Sequence, residues 1–393
     1  MAMTPIQFVF WFVVCCCCCW GHVGSQQVEL RFSAFLTTTG ASGMEFFHRN
    51  GTDYLLVSNY VSMTDEQPNT EAVSVLHHVL IMGREFHAFQ KQKFKTLGAH
   101  GVEHTNGYTA FPNFMGKEVD VYKWKTNKFK PFQSLPSDGA SGVEFFRMGD
   151  KLWLAVAEFH AGRAALYELD EEAENFVSRA NLTAPGVASV RAVELPNSDN
   201  QVLLLTACYH ASNEGGFHLE SPVFVYKGDK FEKIQSVPTV GGHHVEAFTT
   251  ADDRVFVFYS NDKNETTVNQ QSDLYEWRDG QLVKAQSVDT EGAHGSAFFQ
   301  HDERYFLAVA NYGDRDAKDV IRLSPVYSLE LPPGADARLE LVQSLNTTSA
   351  TDFESFRFAD RTFLTYANDK SHRGRPALTQ VWEMITKPDH DEL

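Results

Sequence analysis

Cysteine is nearly absent from the body of this chain. Of six cysteines in 393 residues, five stand together at 15–19 and only Cys208 lies beyond them. No disulfide can form within that remainder, so its fold must rest on packing and hydrogen bonding without a covalent staple. Cys208 sits inside the apolar run VLLLTACY, the setting of a buried, inert thiol rather than a redox centre. Positive charge is scarce as well, with 34 Lys and Arg against 51 Asp and Glu and a formal net charge of −17. Such a surface repels phosphate backbones and anionic lipid, which argues against nucleic acid and favours basic partners. Residues 1–25 lack Asp, Glu, Lys and Arg altogether. Within them the stretch 6–20 is apolar apart from Gln7, shorter than the roughly 20 residues of a spanning helix. It reads as a signal peptide over 1–25, although the usual basic residue before the apolar core is missing. The alternative is an uncleaved anchor acylated on its cysteines. No stable membrane insertion is expected.

What the chain does have is a repeat. Seven segments share one form: GASGMEFF from Gly40, GAHGVEHT from Gly98, GASGVEFF from Gly139, GVASVRAV from Gly186, GGHHVEAF from Gly241, GAHGSAFF from Gly292 and SATDFESF from Ser349. Their mean spacing of about 51 residues is that of propeller blades. Each is followed by an apolar stretch: YLLVSNY from Tyr54, GYTAFPNF from Gly107, LWLAVAEF from Leu152, VLLLTACY from Val202, VFVFYSND from Val255, YFLAVANY from Tyr305 and TFLTYAND from Thr362. Runs of this length and composition fit strands buried on both faces. Pro112 weakens that expectation in the second copy. A third segment alternates apolar and polar residues, as in VYKW from Val121 and LYEW from Leu274, and marks a half-exposed strand. A fourth reads FQSL from Phe132, IQSV from Ile234, AQSV from Ala285 and VQSL from Val342.

Four antiparallel strands per unit make the blade of an all-β, seven-bladed β-propeller. The seventh unit supplies only three strands, ending in VWEM from Val381. The missing one is expected at the other end, where 28–40 reads VELRFSAFLTTTG. The N-terminal strand should thus complete the last blade and close the ring, so 26–386 forms one propeller domain. The polar tail 387–393 ends in His390, Asp391, Glu392 and Leu393, an HDEL retrieval signal addressed to its receptor. With the leader it places the protein in the lumen of the endoplasmic reticulum, secretion being the alternative. Acceptor sequons at Asn50, Asn181, Asn264 and Asn346 agree with that route.

The order GA, Glu, Phe, then YLxVAN, a Tyr-Lys-Trp-like strand and FQS resembles the epilepsy-associated repeat, also called EPTP. YFLAVANYGD from Tyr305 and SDLYEWRDGQLVKAQSVDTEGA from Ser272 carry the resemblance most fully, and it extends over 28–384. It implies a secreted seven-bladed propeller, like the propeller half of the leucine-rich glioma-inactivated proteins, that binds other proteins without catalysis. The family's Asp two places before the Glu falls here on Gly43, Gly101, Gly142, Ser189, His244, Gly295 and Asp352. Only the last keeps it, which counts against a calcium-holding acidic ring of the family's kind.

Two sets of repeated residues are candidates for chemistry. Glu45, Glu103, Glu144, Glu246 and Glu354 share one position in the innermost strands. They could hold a cation in the channel, but repetition at the fold's own period favours a structural role, accepting backbone hydrogen bonds from the next blade. His100, His243 and His294 share another, and with Asp352 they are the candidate metal ligands. Polar lining of the channel is the bland counterpart. The longest loops after the second strands, 60–73, 210–222 and 262–272, are the candidate partner surface. No nucleophile elbow, phosphate-binding glycine loop or paired metal-ligand motif is present. The expectation is therefore a non-enzymatic protein- or glycoprotein-binding propeller of the secretory lumen, with no cofactor. An enzyme with a metal-dependent site at the channel mouth is the alternative.

Overall fold

A computed structural model describes residues 27–387 apart from 39, 61, 65–66, 70, 84, 197, 199–200, 212–215, 315–320 and 370–376. The leader 1–25 and the tail residues His390, Asp391, Glu392 and Leu393 lie outside the described residues. Seven four-stranded antiparallel sheets form the blades of a propeller, and a two-stranded hairpin, Ser62–Thr64 with Gln67–Asn69, lies in the connection between the second and third strands of blade one. In blade three the strands run Ala140–Met148, Lys151–Glu158, Arg163–Asp170 and Asn175–Thr183, from the axis outward. The second strands are buried along nearly their whole length, which is why they read as unbroken apolar runs. Turns use the chemistry their backbone needs: Asp279 and Gly280 both take positive φ, 49° and 82°, as a type I′ hairpin requires.

Pro112 does not break its strand, contrary to the expectation. Tyr108–Asn113 is a regular second strand, paired through Pro112 with Val119 of the third. The Pro112 carbonyl accepts from the His100 N–H, so the position without an N–H faces the axis side of the strand. There the first strand is only Glu103–Thr105, and the ladder has no partner opposite Pro112 to lose.

The core is divided among the seams between blades, one hydrophobic cluster to each. Leu36, Met44, Phe86, Phe356 and Phe363, for example, fill the seam between blades seven and one. Every fourth strand also carries a β-bulge, and the residue just after it explains the recurrent QS. Gln92, Gln133, Gln235, Gln286 and Gln343 each reach the outer strand of the next blade and bond both the N–H and the carbonyl of one residue: Phe129, Phe176, Leu282, Leu339 and Leu30. These glutamines staple neighbouring blades at the rim, where the strands splay farthest apart.

Ring closure is as the strand count implies. Val28–Thr38 pairs antiparallel with Ala377–Thr386 and supplies the outer strand of blade seven. Cys208 is fully buried and forms no disulfide. No helix among the described residues is long and apolar enough to cross a membrane.

Candidate functional site

The opening residue of each repeat sets up the channel mouth. Gly40, Gly98, Gly139, Gly186, Gly241 and Gly292 all have positive φ, between 59° and 74°, and Ser349 takes the same conformation at 58°. In that conformation each carbonyl receives the N–H of the residue that follows the second strand. The donors are Tyr60, Phe114, Phe159, Tyr209, Asp262, Tyr312 and Asp369. Glycine is needed for space as well as for φ, since a Cβ at Gly186 would collide with the His210 carbonyl and one at Gly241 with that of Lys263. The asparagines just before the donors are structural. Asn59, Asn261 and Asn311 give their amide N–H to carbonyls of the third strand, Val73, Gln271 and Leu323.

These seven residues, five of them aromatic, line the mouth of a cavity of about 800 Å³ on the propeller axis. Below them, a bulge in the first strand of blades one and three to seven turns the next repeated position toward the channel. Ser42, Ser141 and Thr351 there donate to the carbonyls of Ala99, Val187 and Ala41 in the following blade. His243 makes a related link to the next blade one residue further on, its Nδ1 lying 3.2 Å from the His294 carbonyl. The His243 and His294 rings stack at 3.9 Å, and His294 stacks on Tyr312 at 4.1 Å. Burial pushes His243 down to about 4 and His244 to about 3, so both are neutral.

The floor is the Glu ring, and its fourth member is a surprise. Arg191 occupies the glutamate position of blade four, and Ala297 that of blade six. Arg191 lies 3.0 Å from both Glu144 and Glu246 and 3.7 Å from Glu103. Glu144 accepts from the Ala192 N–H, Glu354 from the Phe46 N–H and Asp352 from the Met44 N–H, each in the next blade. One guanidinium does not neutralise this many carboxylates. Burial, with like charge added at Glu354 and Asp352, pushes Glu354 up to about 8, and Glu144 and Asp352 up to about 7. Glu45 is raised well above the ordinary range by burial and then by the charge of Glu103, and Glu103 by burial and then by that of Glu144. At the mouth, burial raises Asp262 to about 7 against a hydrogen bond from Tyr209.

The four candidate metal ligands are not brought together. His100 lies on blade two between Tyr60 and Phe114, away from the stacked His243 and His294, and Asp352 is tied to the backbone of blade one. Among the described residues no three His, Cys, Asp or Glu side chains are disposed to hold a metal ion. Of the sequon residues, Asn50, Asn181 and Asn346 are exposed, while Asn264 lines the cavity and its side chain is bonded by Thr266 and Thr267. The partner loops are shorter than expected, because the third strands begin at Glu71, His218 and Asn269. Sequence reasoning missed the rim and Arg191. Both had a signal: five of the seven apolar stretches run into an aromatic residue right after the second strand, and one copy in seven has Arg where the others have an acidic or small residue.

The model of the EPTP domain matches residues 128–170 and 338–374. The human thrombospondin-type laminin G domain and EAR repeat-containing protein is 29% identical over 152 residues, covering 38% of this chain and 22% of that protein. Its mouse counterpart is 28% identical over 165 residues, covering 40% and 24%. The chain therefore spans about a quarter or less of the length of these relatives. Among solved structures, a putative 6-phosphogluconolactonase from Bacteroides uniformis superposes with a TM-score of 0.58 at 14% identity, covering 81% of this chain and 89% of that one. A periplasmic gluconolactonase from Pseudomonas aeruginosa gives 0.56 at 16%, covering 84% and 89%. At such identities the likeness extends to the propeller fold alone.

Proposed function

From the premise that this chain belongs to the EPTP repeat family, we propose that it is a non-enzymatic recognition propeller that binds a protein or glycoprotein at the channel mouth. The observation that carries this is the rim. Seven equivalent positions, one per blade and each fixed by the same backbone bond, present five large aromatic side chains around a deep cavity. Rigid aromatic side chains on a preorganised scaffold are the usual anchors of protein recognition. The leader and the HDEL ending support residence in the lumen of the endoplasmic reticulum.

Crosslinking in the lumen, followed by identification of the attached chains, tests the binding role. Wild-type protein should capture defined polypeptides, and Tyr209→Ala with Tyr312→Ala should lose them while remaining folded. Capture of no polypeptide, together with turnover of a lactone or another small substrate, would overturn it. Removal of the last four residues should release the protein into the medium.

A further inference from the structure

The cavity is lined by nine carboxylates against two cationic side chains, Arg191 and Lys263. Arg191 is already committed to Glu144 and Glu246, and among the described residues no ion pair reaches Glu45, Asp352 or Glu354. The walls above this floor are aromatic. We propose that the funnel seats the cationic side chain of a lysine or arginine presented by the bound polypeptide, an assignment that rests on the recognition role above. An ammonium or guanidinium passing the rim meets the aromatic residues that line it before it reaches the carboxylates, and attraction to both grows as water is expelled. A bare metal ion is served less well. The floor carboxylates are spread over five blades, several are tied to backbone N–H groups, and among the described residues no three His, Cys, Asp or Glu side chains are disposed to hold a metal ion. An extended side chain can span from rim to floor, as an ion cannot.

Without such a cation the floor lowers its charge by holding protons, in keeping with the upward shifts at Glu144, Asp352 and Glu354. Entry of the cation favours the ionised carboxylates and expels those protons, so affinity must rise with pH between 6 and 8.

Titration calorimetry of the full chain at low ionic strength tests this with three probes: N-acetyl-lysine methylamide, its arginine counterpart and the neutral glutamine counterpart. The two cations should bind one to one and the glutamine probe at least about ten-fold more weakly, with binding tighter at pH 8 than at pH 6. Glu45→Gln with Glu103→Gln should weaken the cations about ten-fold. Tyr60→Leu with Phe114→Leu, which leaves every charge in place, should weaken them too and separates the funnel from the overall negative charge. Equal binding of the glutamine probe, unchanged affinity in both variants, or calcium chloride displacing the lysine probe at lower concentration than lysine itself would overturn the proposal. Partners still captured by the Glu45→Gln/Glu103→Gln variant would overturn the cation assignment and leave the recognition role standing. Probe binding without any captured polypeptide would sustain the cation site and remove the recognition role.

Discussion

Replacing Gln343 with alanine tests what holds the ring shut. Its amide accepts from the Leu30 N–H at 2.9 Å and donates to the Leu30 carbonyl at 3.2 Å, joining residues 313 apart in sequence. A net hydrogen bond contributes about 0.5–1.5 kcal/mol, so the staple contributes about 1–3 kcal/mol. Leu30 is only 4% exposed, and truncation leaves two backbone groups unpaired beside a buried side chain, which pushes the loss toward the upper half of that range. Urea unfolding followed by tryptophan fluorescence reads this seam directly, because Trp382 packs edge-on against Phe32 of the same strand pair at 5.8 Å. Gln90→Ala, on the exposed face of the outer strand of blade one, is the control and should change stability by less than about 0.5 kcal/mol. A Gln343→Ala loss no larger than that control, at unchanged denaturant slope, would refute the staple. The converse also follows. Ala180 stands at the glutamine position of blade three, just past its bulge, and Ala180→Gln is expected to bond the backbone of Phe231 and stabilise the chain by about 1 kcal/mol.

Arg191→Met leaves three carboxylates without their shared cation, and a loss of about 3 kcal/mol is expected at pH 7.5. At pH 6 the loss should be smaller, because Glu144 and Glu354 then hold their protons; equal losses at both pH values would count against a charge-based role. Wild-type stability has its own pH signature. Carboxylates raised to about 7 or 8 bind protons more tightly when folded, so their contribution is complete below pH 4.5 and is lost as pH rises through 7–8. His77, His104 and His243, each lowered to about 4, act in the opposite sense between about pH 4 and 6.5. The two sets offset each other below pH 6.5, and stability measured by urea unfolding should fall from pH 6.5 to 8 at up to about 1.4 kcal/mol per unit for each titrating carboxylate. A profile that rises over that window would show that the floor is already ionised. Gly186→Ala, with φ 63° and a collision at the His210 carbonyl, should cost more than about 2 kcal/mol, whereas Gly228→Ala, with φ 70° in open space, should cost about 1.

The repeat made most of the fold legible because a propeller blade reuses one local solution. Fully buried second strands leave unbroken apolar runs, left-handed openings select glycine, and the bulge in the outer strand leaves its QS. Pro112 misled because its effect depends on which side of the strand the missing N–H faces, a property of pairing and not of composition. The site was half legible. The Glu position was visible, yet the single Arg191 among its copies, which pairs with three of the five glutamates, was not. The aromatic residues after the second strands stand in the sequence one place beyond the recurrent asparagines, but periodicity marks both positions alike, and only the structure shows the asparagines to be structural.

By itself the sequence determined the number of blades, the strand that closes the ring and the residues that recur at each level of the channel. Those follow from local rules: apolar periodicity, turn chemistry and the need to pair an edge. Only the tertiary structure decided which recurrent residues face one another. His243 meets His294 because their blades are adjacent, while His100 is held apart on blade two. Three carboxylates, Glu103, Glu144 and Glu246, share the Arg191 guanidinium because a closed ring turns one position per blade toward a common axis, and the charge crowded there raises the floor carboxylates above their ordinary range.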